Sequence, residues 1–270
     1  MITHRIEGEG EPVLLLNGGL MSIGAWEPIA VALAKRFHVI RCDFRGQLLS
    51  PGEPEPNLEV HVRDVVELLD GLGFQSVHIA GTSYGGLVAL RLASLHPERV
   101  SSVAVIAGSD RITPELWESS AEMRDLALDS ANGGDGGRVL EFILPGTYTP
   151  EYLEKQRSAL AFHRNWVAGL PAIWFRGVAS ILSSLEGVDL TPHLGAIRSP
   201  TLILAGERDA MFPPERSRAL AAAIPGARLE VVPGAPHGMV VENPDETARH
   251  LIDFLEKGFL ETHRSGAPNA

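Results

Sequence analysis

A chain of 270 residues, 44% apolar and 21% charged, can bury one large core, and its composition excludes disorder, collagen-like repeats and disulfide scaffolds. Its 23 Lys and Arg against 34 Asp and Glu give a formal net charge of −11. With no basic cluster to offset that charge, phosphate backbones and anionic lipid are repelled, so neither nucleic acid nor a membrane is expected as a partner.

The opening stretch MITHRIEGEGEP lacks the basic-then-apolar order of a signal peptide, and no apolar run reaches membrane-spanning length. Val13 to Leu16 is short, wholly apolar and stopped by Asn17-Gly18-Gly19, the pattern of a strand covered on both faces. Phe37 to Cys42, Val77 to Ala80, Val103 to Ala107 and Thr201 to Ala205 repeat that pattern, each ended by Gly or Asp. Cys42 lies beside Val39, Ile40 and Phe44 and reads as a small buried hydrophobe. As the only cysteine it can close no intramolecular disulfide, so a reducing compartment, the cytoplasm, is expected.

Between these runs, Leu58 to Leu72 places Val62, Val65, Val66, Leu69 and Leu72 on one helical face, and a second helix follows Gly85-Gly86 from Leu87 to Leu95. Strands alternating with helices predict a parallel sheet with crossover helices. The alternation stops over 110–198, where Trp117, Phe142, Tyr148, Tyr152, Phe162, Trp166, Trp174 and Phe175 gather without a clear strand. That region is expected to be a helical insertion. Its glycine-rich segment Asn132 to Gly137 lacks the following Lys-Ser/Thr of a phosphate loop and reads as a connection between helices. Near the C-terminus, Asn243, Pro244 and Glu246 suit a capped helix start, with Ala248, Leu251, Ile252 and Leu255 as its buried stripe. Residues 263–270 are expected to be a mobile tail.

The chemistry centres on Gly81-Thr82-Ser83-Tyr84-Gly85, which follows a predicted strand and opens a predicted helix. A serine on so tight a turn needs small residues two before and two after it, and its hydroxyl is lifted to a helix N-terminus. A serine hydroxyl is a weak nucleophile and requires a base and a group to orient that base. Of ten histidines, His237 stands apart, in a loop between Pro236 and Gly238 after the strand Leu229 to Val232. His38 and His78 lie in strands, His96 at a helix end and His250 inside a helix. For the acid, Asp209 follows the strand Thr201 to Ala205, with Glu207 and Asp110 as the other candidates. All lie past strand C-termini, where open parallel sheets place ligands.

Ser, then acid, then His, on these elements, resembles the α/β-hydrolase superfamily over nearly the whole chain. The resemblance implies an α/β fold in which a mostly parallel central sheet is flanked by helices and a helical cap is inserted after the sixth strand. The core would then be 1–109 and 199–262, and the cap 110–198. It implies Ser83 as nucleophile, Asp209 as acid and His237 as base. In Asn17-Gly18-Gly19-Leu20, with Trp26 at the family's spacing, it implies oxyanion donors at the backbone N–H groups of Gly19 and Tyr84. Two departures stand out: Asn17 replaces the family's usual His, and Asp43-Phe44-Arg45-Gly46-Gln47-Leu48-Leu49-Ser50 replaces Asp-x-Arg-Gly-His-Gly-x-Ser, losing one glycine. A serine nucleophile disfavours dehalogenase-like and epoxide-hydrolase-like chemistry.

The function implied is that of a serine hydrolase acting on a small-molecule carboxylic ester or lactone, with no metal or organic cofactor. The alternatives are a ligand-sensing protein with little turnover, or a thioesterase of a carrier-protein pathway. Leu20, Trp166, Trp174, Met211 and Met239 are candidates for the substrate pocket.

Overall fold

The computed structural model describes residues 1–265 except 49, 51 and 52. Leu49, within the loop that departs from the family pattern, and residues 266–270 of the expected 263–270 tail lie outside the described residues, whereas 263–265 continue the last helix. In chain order the elements begin with β1 His4–Glu7, β2 Glu11–Leu16, α1 Glu27–Leu33, β3 Phe37–Cys42, α2 Leu58–Leu72, β4 Val77–Thr82, α3 Tyr84–Leu95 and β5 Val100–Ile106. Five helices follow without a strand: α4 Pro114–Ala131, α5 Gly137–Thr147, α6 Pro150–Lys155, α7 Arg157–Ala168 and α8 Ala172–Ser183. The sheet then resumes with β6 Thr201–Gly206, α9 Pro214–Ala223, β7 Arg228–Val232, α10 Met239–Glu242 and α11 Pro244–Ser265.

The seven strands form one sheet in the order β1-β3-β2-β4-β5-β6-β7, with only β1 antiparallel to its neighbour. The expected insertion after a sixth strand uses the family's count, in which the Asn17 loop follows the third strand. Here that loop follows β2, and the insertion follows β5, the Val103 to Ala107 run.

Strand periodicity divides the core between the two sheet faces. Leu14, Leu16, Ile40, Cys42, Ile79, Val103, Val105 and Ile203 pack with α2, α3 and α9 on one face. Val13, Leu15, Val39, Ala80, Ala104, Ile106, Leu202 and Leu204 pack with α1, α10 and α11 on the other. Each continuous apolar run is thus a strand buried on both sides. Cys42 is buried, and loss of hydration pushes its thiol well above the ordinary range, which leaves it a packing group. The insertion has its own small core of Met123, Ala127, Val139, Val167, Phe175, Val178, Ala179 and Leu182, and the glycine-rich stretch is the turn between α4 and α5.

The C-terminal helix starts at Pro244 as its sequence suggests, and Ala248, Leu251 and Leu255 are buried along it. The expected capping box does not form. Asn243 accepts from Thr247 through its backbone carbonyl (3.0 Å), its Oδ1 is buried without a hydrogen-bond partner, and Glu246 turns to Arg249. Asn243 already closes α10, so its backbone rather than its side chain serves the next helix. Among the described residues no single helix is long and apolar enough to cross a membrane.

Candidate active site

The order of strands sets the site's location. From β2 the chain moves outward to β3, then returns through α2 to β4 on the other side of β2, so the connections diverge between β2 and β4. In open α/β sheets the crevice at such a divergence, beyond the strand C-termini, is where ligands fit. Here the C-terminal ends of these two strands carry Asn17-Gly18-Gly19 and Ser83.

Ser83 is held at φ 51° and ψ −115°, a left-handed backbone that a residue with a side chain rarely adopts. Such a conformation costs about 1–3 kcal/mol and must be imposed by its surroundings. Its N–H donates to Ile106 O (3.0 Å) and its carbonyl accepts from Gly86 N (2.9 Å). A Cβ on Gly81 would lie 2.2 Å from Gly85 O, and one on Gly85 would lie 2.3 Å from Leu16 O. The turn is therefore closed around two positions that only glycine can occupy. Ser83 stays partly exposed, directly before the N-terminus of α3.

His237 is 7% exposed and Asp209 3%. Nε2 of His237 is 3.0 Å from Ser83 Oγ, and its Nδ1 is 3.0 Å from Asp209 Oδ2 and 3.2 Å from Oδ1. Asp209 Oδ1 also accepts from the backbone N–H groups of Met211 (2.9 Å) and Phe212 (2.8 Å), which fixes the carboxylate before the imidazole meets it. The ring of Phe212 stands 5.3 Å from that of His237. The other acid candidates face elsewhere: Asp110 accepts from Thr191 Oγ1 (2.6 Å), and the exposed Glu207 accepts from Gly234 N (2.8 Å). A hydroxyl, an imidazole and a fixed carboxylate in one line, beside a helix N-terminus, can carry out acyl transfer.

Gly19 is placed by the β2 loop, and a Cβ on Gly18 would come within 3.7 Å of Ser83 Cβ, so this loop flanks the serine. The insertion meets this loop. A Cβ on Gly19 would lie 3.5 Å from Ile181 of α8, and Leu20 packs on the insertion's own core, as does Trp174. Met211 reaches α5, where its methyl would stand 3.0 Å from a Cβ on Gly146. Two pocket candidates are placed apart from these. Trp166 is 49% exposed on α7, and Met239 is fully buried beneath α10 with Trp26 and Ala235.

Three side chains near the site were not named as site candidates from the sequence, although Gln47 lies in the loop that departs from the family pattern. Tyr148, one aromatic among many, packs against Gly238, where a Cβ would lie 2.5 Å from its ring, and burial pushes its phenol up to about 12. Gly238 N donates to Thr147 O (2.7 Å), which joins the end of α5 to the loop carrying His237. His61 of α2 lies 2.5 Å through Nδ1 from the hydroxyl of Tyr84, the residue after Ser83. Gln47 is buried beneath the β2 loop. Among the described residues no three His, Cys, Asp or Glu side chains gather into a metal-holding group. An open cleft of about 590 Å³ lies on the insertion between α4 and α5, lined by Glu118, Glu122, Asp125, Asp129 and Arg138 among others, and by none of the residues above.

Sheet order, strained serine turn and following helix together define a class, and the chain belongs to the α/β-hydrolase fold family, whose model matches residues 11–244. A protein of Azorhizobium caulinodans named "Putative carbamate hydrolase RutD" is 30% identical over 93% of this chain and 93% of its own length. A pimeloyl-[acyl-carrier protein] methyl ester esterase of Aeromonas hydrophila is 29% identical over 92% of this chain and 96% of its own. The crystal structure of the enol-lactonase from Burkholderia xenovorans superposes with a TM-score of 0.84, at 30% identity, over 94% of this chain and 96% of that one. The protein is thus a hydrolase by fold and kinship.

Proposed function

We propose that the protein cleaves a carboxylic ester or lactone through an acyl-enzyme on Ser83. The observation that carries this reading is the unbroken hydrogen-bonded line from Ser83 Oγ through His237 to Asp209, at the C-terminal edge of the sheet. His237 Nε2 takes the Ser83 proton as Oγ attacks the carbonyl carbon, and the Asp209 carboxylate accepts from Nδ1–H, holding the productive tautomer and facing the imidazolium that forms. The backbone N–H groups of Gly19 and Tyr84 receive the tetrahedral oxyanion, a contribution that typically amounts to about 10²–10³ in kcat per donor. His237 then returns its proton to the leaving alkoxide, which in a lactone stays tethered to the acyl group. Water, deprotonated by the same imidazole, releases the acid.

The helices of 110–198 act as a cap that encloses this crevice, with Leu20, Trp174, Met211 and Tyr148 the side chains best placed to meet the acyl or alcohol group. The substrate is a small molecule, and the lone buried thiol suits a cytoplasmic enzyme. A second reading, cleavage of a carbamate by the same steps, is favoured by the name of the Azorhizobium relative, since a carbamate carbonyl presents the same carbon to the same nucleophile.

The test is turnover of p-nitrophenyl acetate, butyrate and carbamate esters and of γ-butyrolactone by the wild type and Ser83→Ala. The variant is expected to keep its fold and to lose about a million-fold in kcat, together with labelling by a fluorophosphonate. Unchanged turnover in Ser83→Ala would overturn the mechanism, and the preferred member of the panel decides between ester, lactone and carbamate.

A further inference from the structure

Asn17 and Gln47, two of the points at which the loops depart from the family pattern, lie 30 positions apart and meet in the structure: Asn17 Nδ2 donates to Gln47 Oε1 at 3.0 Å. Gln47 is 5% exposed, and its amide is fully employed. Oε1 also accepts from Phe44 N (2.8 Å), while Nε2 donates to Gly18 O (2.8 Å) and reaches Gly19 O (3.3 Å). The partners settle the amide's orientation, because a flipped group would set its oxygen against two carbonyls and its N–H groups against two N–H donors. Asn17 is itself fixed. It donates to Asp43 Oδ1 (2.9 Å) and accepts from Trp26 Nε1 (2.9 Å), and Asp43 Oδ1 accepts from Ile23 N (2.8 Å) as well.

We infer that Gln47 is a positioning residue for the oxyanion loop, with Asn17 as the partner that fixes Gln47; this rests on the serine-hydrolase reading above. The peptide unit between Gly18 and Gly19 is planar and trans, so the Gly18 carbonyl and the Gly19 N–H point in opposite directions. A unit between two glycines rotates with little steric resistance, and nothing in their side chains selects one orientation. Two donors on the carbonyl select it here: Gln47 Nε2 from below and Met21 N at 3.1 Å. With the carbonyl held against the core, the N–H of Gly19 is turned to the opposite side. Gly18 lies beside Ser83, and in this inference the Gly19 N–H faces the oxyanion of the serine adduct. Preorganised donors are effective because they need no rotation at the moment of reaction, and the Gln47 amide supplies that preorganisation without a titrating group.

The measurement uses the full chain with Gln47→Met, which removes both donors at similar length, and Gln47→Glu, which keeps the acceptor and sets a carboxyl oxygen against the two carbonyls. Rates on p-nitrophenyl acetate are expressed per serine titrated with a fluorophosphonate, so a partly unfolded sample does not distort kcat. Both variants are expected to lose about 10- to 100-fold in kcat, with KM within about twofold of the wild type. Phenylboronic acid, whose serine adduct is tetrahedral, should bind more weakly by a similar factor. Asn17→Ala combined with Gln47→Met should cost little more than either alone. Wild-type kcat and boronate affinity in both variants, with Ser83→Ala inactive, would overturn the positioning role and leave the hydrolase reading standing; an active Ser83→Ala would remove both. If neither variant folds, the wild type decides by NMR. The Gln47 side-chain amide protons should exchange slowly with solvent and shift when phenylboronic acid binds, and fast exchange with no shift would overturn the inference.

Discussion

A carboxylate can orient an imidazole only if it is itself immobile, and at this site immobility comes from the backbone. Asp209 is held by two N–H groups of its own turn, Met211 and Phe212, before His237 meets it. Asp110, at the end of the neighbouring strand, spends its carboxylate on Thr191 and its carbonyl on Leu190 N, and so ties the end of the insertion to the sheet. Asp209→Asn is therefore expected to lower kcat by about 10⁴ through the wrong imidazole tautomer, whereas Asp110→Asn should act on stability and leave kcat within a few-fold. Steady-state rates and thermal melts on the two variants make the comparison, and a larger kcat loss in Asp110→Asn would reassign the acid. At this scale the meeting of Ser83, His237 and Asp209 was legible in the sequence because each follows a strand whose end is marked by glycine or a loop. Gln47 and His61 were not legible, because their roles depend on which backbone groups lie opposite them after folding.

Elements differ in legibility for a physical reason. Strands buried on both faces are continuous apolar runs, and the five that read that way, with the run at Leu229, are all present within a few residues of their expected ends. The edge strand β1 was missed, because His4-Arg5-Ile6-Glu7 covers no core and carries no apolar run. The insertion's helical character was readable from its aromatics, but which of those aromatics face the site depends on how α8 crosses the core. That crossing is set by a backbone contact that leaves no hydrophobic signature: a Cβ on Gly177 of α8 would stand 1.8 Å from Gly46 O, in the loop after β3. Gly177→Ala must push the helix away from that loop. Overpacking of this kind costs about 1–3 kcal/mol, which for a chain of this size lowers Tm by several degrees, and KM should rise as the insertion lifts. Gly195→Ala, whose Cβ would meet nothing within 4 Å, is the matched control. Equal Tm and KM in the two variants would show that α8 is not seated on Gly46.

Across the whole molecule, one hydrogen-bonded line joins the helices on one face of the sheet to the insertion. His61 of α2 lies against the Tyr84 hydroxyl, Tyr84 follows the serine at the start of α3, and its hydroxyl reaches Ser184 Oγ (2.9 Å) just past α8. Ser184 in turn donates to Ile181 O (2.6 Å). The imidazole of His61 is packed with the rings of Phe44 and Tyr84, and its Nε2 is buried without a partner. Burial lowers its pKa from 6.5 to about 4, with nearby Asp64 opposing and Arg45 reinforcing the shift. Because the folded value lies below the unfolded one, the unfolded chain takes up a proton first as pH falls. The folded state is then fully favoured above about 6.5 and loses stability progressively down to about 4. The full shift corresponds to about 3 kcal/mol, of which about 2 kcal/mol is lost between pH 7 and pH 5. Urea unfolding of the wild type and of His61→Gln at those two pH values tests this, since the other nine histidines and all the carboxylates are common to both. The variant should be less stable at pH 7 yet fall less steeply on acidification, by about 2 kcal/mol over the interval. Parallel losses in the two proteins would mean that His61 titrates alike folded and unfolded, and that the line from core to insertion carries no proton-linked stability.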